Sequence, residues 1–204
     1  MSTVLTIIVV VLILAGAAAY FLWQAPGSAG RALRKGSSEK RLRRRYGREY
    51  DRLYTEHGDH AAVQEELGRR ERDRAGLAIR TLRAADRERL TAEWAGVQAA
   101  FVDDPGGAAR RAEQLVGEAL ALRGYPAEDP ERQLALASVD HAHSLSEFRD
   151  GHELLQRSHT GAPDVDATEQ LRQAMLRLRV FFDELIGGGV AAQVRTDRRE
   201  KVPA

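Results

Sequence analysis

The sequence predicts an all-α protein: an N-terminal transmembrane helix, a linker, and an antiparallel multi-helix bundle of five to six helices. Three observations predict it. Residues 4–23 form one uncharged apolar run. The remaining chain repeats apolar residues at intervals of three and four, the helical period. Asp-Pro, Gly-Asp and Gly-Ala-Pro breaks divide it, with no pair of strand-like runs and no internal repeat. The expected organisation is an anchor over 1–24, a juxtamembrane linker over 25–38, a soluble helical domain over 39–186 and a disordered tail over 187–204.

The anchor reads VLTIIVVVLILAGAAAYFLW from Val4 to Trp23. Twenty helical residues span about 30 Å, the thickness of a hydrocarbon core. Tyr20 and Trp23 lie at its end, where amphipathic rings favour the interface. A cleaved signal peptide is the alternative, but Met1-Ser2-Thr3 carries no basic residue. Arg and Lys follow the helix and none precede it, so the positive-inside rule places the soluble domain in the cytoplasm of a single-pass cell-membrane protein.

The linker contains Pro26, Gly27, Gly30 and Gly36. Ser38 is placed to cap a helix running to about Glu56, with Leu42, Tyr46, Tyr50 and Leu53 or Tyr54 on one side and arginine on the other. Asp59 caps a helix to about Arg74 with Val63 and Leu67 inward. Residues 76–83 lack a helical period and read as an extended connector. Leu90, Trp94, Val97 and Phe101 mark a helix over about 84–102. Asp104 as N-cap and Pro105 at the first helical position start the next, which ends at Gly124. Asp129-Pro130 opens a brief helix to about Ala137, and Asp140 caps another to about Ser158 with Leu145, Phe148 and Leu155 inward. Asp166 and Glu169 form a capping box for the last helix, which presents Leu171, Met175, Leu178, Phe182 and Leu185 and stops at Gly187-Gly188-Gly189.

The net charge of +1 conceals an uneven distribution. Residues 31–52 hold ten Arg or Lys and three Asp or Glu, leaving the rest of the chain at net −6. The basic collar from Lys40 to Arg52 is the candidate contact for anionic headgroups, through Arg41, Arg43, Arg44, Arg45 and Arg48. Nucleic acid is the less favoured partner, because the bilayer phosphate is nearer and the remaining domain is acidic. With no cysteine, disulfides, thiolate metal sites and cysteine nucleophiles are excluded. No phosphate-binding Gly-rich loop, zinc-protease helix motif or serine-hydrolase elbow occurs, and no cofactor is implied.

Four of the six histidines fall between His141 and His159. His141 and His152 share a helical face but stand roughly 16 Å apart, too far for one metal. Asp140, His141 and His152 are therefore candidates for a small-molecule site, against a plainer reading as cap, packing and surface residues.

Several phrases occur together: Arg45-Tyr46-Gly47-x-Glu49-Tyr50-Asp51-Arg52, Trp94-x-x-Val97-Gln98-x-x-Phe101-Val102-Asp103-Asp104-Pro105, and Arg123-Gly124-Tyr125-Pro126. With Leu136-x-Ser138-Val139-Asp140-His141 and Leu171-Arg172-Gln173-Ala174-Met175, they resemble a family of uncharacterised actinobacterial proteins, variously labelled membrane or secreted. The resemblance spans about residues 40–186. It implies bacterial origin and membrane attachment, and supplies no activity or catalytic residue. The expected function is a membrane-anchored interaction or scaffold protein without catalytic activity, binding the bilayer through residues 4–23 and a protein partner of unknown identity. Two alternatives stand beside it: a histidine-containing small-molecule or metal-binding sensor or enzyme, and an anionic-lipid-responsive module.

Overall fold

The computed structural model describes residues 39–160 and 165–200, with side chains at 39–158 and 167–187. The anchor, the linker, Ser38 and the capping-box side chain of Asp166 lie outside the described residues. Two compact units divide the chain, Met1–Arg41 and Leu42–Ala204, and everything below concerns the second. The described residues form seven helices and no strand: α1 (residues 39–46), α2 (Arg48–His57), α3 (His60–Ala75), α4 (Ala84–Ala100), α5 (Pro105–Arg123), α6 (Pro130–Thr160) and α7 (Val165–Glu200). Among them no helix is long and apolar enough to cross a membrane.

The caps explain most boundaries. Asp59 accepts from the Ala62 amide at 3.2 Å, and Asp104 from the Gly107 amide at 2.8 Å ahead of Pro105. Each satisfies an amide that the first helical turn leaves without a partner. Gly124 ends α5 at φ 101°, and the carbonyl oxygen of Ala78 in the connector lies 2.8 Å from where its Cβ would stand. Both the left-handed backbone and the close approach require glycine. Gly124→Ala is expected to lower stability by on the order of 2 kcal/mol, read by chemical denaturation.

Two apolar clusters hold the helices together. The larger joins Leu90 and Trp94 of α4, Leu115 and Val116 of α5, Leu145 and Phe148 of α6, and Leu178, Phe181 and Phe182 of α7. The smaller joins Tyr46, Tyr50 and Leu53 of α1 and α2, Val63 and Leu67 of α3, and Ala142 of α6. These are the stripes that the three-and-four spacing predicts, arranged as a helical bundle with α6 serving both clusters. At Gly151 of α6 an added Cβ would stand 3.1 Å from the Ala174 carbonyl oxygen, so α6 and α7 cross there backbone to backbone.

Three expectations are corrected. The helix expected from Ser38 to Glu56 is broken at Gly47, whose φ of 52° separates α1 from α2. The two helices expected over 130–158 are the two arms of α6, which meet without a loop at a kink at His141 (φ −131°, ψ 33°). Asp140 does not cap the second arm: the non-helical residue is His141, and the Asp140 carboxylate bonds Arg74 and Tyr125 instead. Around the bend the Ser138 hydroxyl donates to the Ala135 carbonyl and the Ser144 hydroxyl to the His141 carbonyl, back-bonding that bends helices. Finally, the α7 backbone stays helical through Gly187-Gly188-Gly189 to Glu200, where a stop was expected. Among the described side chains Leu185 and Ile186 are the last packed in the larger cluster, and Arg123 and Arg87 donate to their carbonyls at 2.7 and 3.1 Å.

Candidate functional site

The basic collar is largely engaged within the domain. Arg48 makes a bidentate pair with Asp150, both contacts at 2.7 Å. Arg45 donates to Glu71 at 2.8 Å and lies over the Tyr46 ring. Arg43 lies over the Tyr50 ring and 3.9 Å from Asp51. Arg44 is exposed. Arg41 of α1 is exposed as well and is the last residue of the first unit. Tyr46 and Tyr50, which a nucleic-acid reading would use as stacking platforms, are 0% and 1% exposed. The Tyr46 hydroxyl donates to Glu71, and burial together with that bond raises its pKa.

Beneath the collar lies Glu49, 1% exposed. Three arginines from three helices converge on its carboxylate. Arg52 of α2 donates at 3.0 and 3.3 Å, Arg70 of α3 at 2.8 Å, and Arg149 of α6 at 3.1 and 3.4 Å. Burial alone would raise the Glu49 pKa, but the hydrogen bonds and charges of these arginines outweigh it and hold the carboxyl below its usual range. Burial pushes Arg149 down, reinforced by neighbouring Arg52 and Arg70 and opposed by Glu49. A polar cleft of about 500 Å³ opens above this hub. Its arginines face matching carboxylates, with Arg69 and Arg70 on Glu66 and Arg52 on Glu56, so it has no surplus of either sign.

The three histidine-segment candidates are not brought together. Asp140 accepts from Arg74 at 2.5 Å and from the Tyr125 hydroxyl at 2.6 Å, an interhelical tie. His141 pairs through Nδ1 with Glu184 at 2.5 Å and is 9% exposed. That hydrogen bond holds the Glu184 carboxyl below its usual range, assisted by one from Ser144. Nε2 of His141 is buried without a partner, and His141 lines neither the polar cleft nor the one described next. Among the described residues no three His, Asp or Glu side chains converge as a metal site.

His152 is placed differently. It hydrogen-bonds Glu113 of α5 through Nδ1 and stacks on Phe148, with ring centroids 6.5 Å apart. Both belong to the wall of a second cleft, about 850 Å³, between α5 and the two arms of α6. Gly117 and Ala121 come from α5, Pro130 and Leu134 from the arm before the His141 bend, and Phe148 and Glu153 from the arm after it. A straight helix would hold Leu134 and Phe148 about 21 Å apart along its axis. The bend lets both arms flank one cleft. The surface it presents is mostly apolar although nine of its fifteen lining residues are polar or charged, and its size is that of a small-molecule site. No protein-family model, no curated protein and no solved structure matches the chain.

Sequence reasoning singled out His152 and missed both Glu49 and the cleft. Glu49 had a legible signal: it lies three residues after Tyr46 and four before Leu53, on the buried side of its helix. The cleft had none, because it depends on the bend and on how α5 lies against α6.

Proposed function

We propose that this chain is a membrane-tethered helical binding protein that takes a small ligand into the α5–α6 cleft. The observation that carries the reading is the cleft itself, about 850 Å³ with a mostly apolar surface and the His152–Glu113 pair in its wall. The pair and the neighbouring Glu153 supply the convergent polar groups that orient a ligand in such a site. Tethering rests on the apolar run Val4–Trp23, with the cytoplasmic orientation on the arginines that follow it. The resemblance to single-pass actinobacterial proteins points the same way.

The interaction-protein reading is the second one, and exposed Leu176 and Val180 favour it. They lie one helical turn apart on α7 at 52% and 49% exposure, a small apolar surface for a protein partner. The lipid-responsive reading is weakened, because Arg43, Arg45 and Arg48 are already neutralised by Asp51, Glu71 and Asp150. Liposome binding by the collar then rests on fewer charges than the sequence suggests.

Binding is tested with the full chain in lipid nanodiscs and an environment-sensitive apolar dye, with empty nanodiscs as the blank. The expected result is one saturable site that is lost in Ala121→Trp, where the indole fills the cleft. Equal dye binding by wild type and variant would remove the cleft as the site. Resistance of the full chain to alkaline carbonate extraction tests the tether.

A further inference from the structure

We propose that the exposed face of α7 pairs with the same face of a second copy of this chain, antiparallel about the level of Leu178, an inference that goes beyond the cleft reading and does not depend on it. Three large hydrophobics are exposed among the described residues: Val102 at 84%, Leu176 at 52% and Val180 at 49%. The fold gathers them. Trp94 stacks on Phe182 and Gln98 meets Arg179, so α4 runs antiparallel to α7. One further turn in this register brings Val102, just past the end of α4, level with Leu176. A single exposed hydrophobic is ordinary, but three drawn from two parts of the chain onto one edge form a patch.

The charges around the patch point to its occupant. A two-fold pairing needs a surface complementary to itself. Two α7 helices set antiparallel about Leu178 place Leu176 against Val180 of the second copy, and Arg172 within one residue of the level of its Asp183. Arg172 and Asp183 are eleven residues apart, about three turns, so they share one flank of α7. It is the flank where Arg179 pairs with Asp183 and meets Gln98. A two-fold axis keeps like flanks together, so opposite charges meet at both ends of the apolar centre. Both side chains are about half exposed, and their present partners, Glu169 and Arg179, form surface pairs that contribute little and are readily exchanged. An anionic bilayer fits this face less well. Asp103, Asp183 and Glu184 offset Arg172, Arg177 and Arg179 around it and leave no basic surplus.

Three side chains cover less than the roughly 800 Å² per partner of a stable interface. The pairing is therefore weak between free copies. It relies on the tether, which holds copies at one surface and raises their effective concentration.

The chain has no cysteine, so Leu176→Cys and Val180→Cys each place a single thiol on the patch. The two full-length variants are mixed in lipid vesicles at low surface density and oxidised with copper phenanthroline, and flotation of the vesicles reads the tether separately. The mixed disulfide is expected to form at least tenfold faster than the disulfide of Thr55→Cys, a thiol exposed on α2. Adding Arg172→Asp to both chains should slow it several-fold, and adding Asp183→Arg as well should restore it. A mixed rate no faster than that of Thr55→Cys, in vesicles that carry the chain, would overturn the pairing. A charge-reversed double variant as slow as Arg172→Asp alone would overturn it too. Vesicles that float without the chain would remove the tether, and with it the confinement the pairing needs.

Discussion

Glu49→Gln is expected to destabilise the protein by about 3–5 kcal/mol, the range for removing one partner of a buried ionic cluster. The glutamine keeps the size of the side chain but removes the charge on which Arg52, Arg70 and Arg149 converge. Three guanidiniums then face each other with no charge between them, Arg70 at 8% side-chain exposure, Arg149 at 27% and Arg52 at 39%. Urea denaturation of the purified chain measures the loss. A change below about 1 kcal/mol, the size of a surface pair, would show that the hub contributes no more than one.

The same residue gives a pH dependence with a definite sign. The Glu49 pKa is lower in the folded than in the unfolded chain, where it is about 4.3. Its contribution is fully present above that value and is lost as pH falls through the depressed folded value. Glu66 and Glu184 shift in the same direction and add to the acid loss. Wild-type stability should therefore fall steeply below about pH 4, and the fall should be shallower in Glu49→Gln.

Trp94→Ala is expected to cost about 3–5 kcal/mol, the range for deleting a large buried aromatic. Trp94 is 1% exposed, stacks on Phe182 with centroids 4.4 Å apart, and has Arg179 over its ring. Its indole N–H is buried without a partner. An unsatisfied donor detracts from what the ring contributes, so Trp94→Phe is expected to cost far less than Trp94→Ala, because it deletes that donor along with part of the ring. Equal losses in the two variants, followed by thermal denaturation, would show that the ring's stacking is not the source of the stability.

The sequence displayed the bundle because apolar spacing and caps are local. Asp59, Asp104-Pro105 and Gly124 bound helices through atoms a few residues away, so their meaning survives in one dimension. Leu90, Trp94 and Val97 reached the core for the same reason. The interruption at His141 was legible as the junction of two helices, and what the sequence did not show is that they join by a kink with no loop. Asp140 resembles an N-cap, and only its bonds to Arg74 and Tyr125, 66 and 15 residues away, show otherwise. Distance in the chain also hid the collar's partners, since Arg48 meets Asp150 across 102 residues. At the candidate site, His152 was visible as a titratable group. Its partner Glu113, 39 residues away, and the apolar lining around it were not.

The most direct test is calorimetric titration of the full chain in nanodiscs with the apolar dye, repeated at several temperatures and in Ala121→Trp. A single site with a negative heat-capacity change, the mark of apolar burial on binding, is the expected result for wild type. The variant should show no such site. Heats matching those of empty nanodiscs, or an isotherm unchanged by Ala121→Trp, would contradict the assignment of the α5–α6 cleft as the place where this protein binds its ligand.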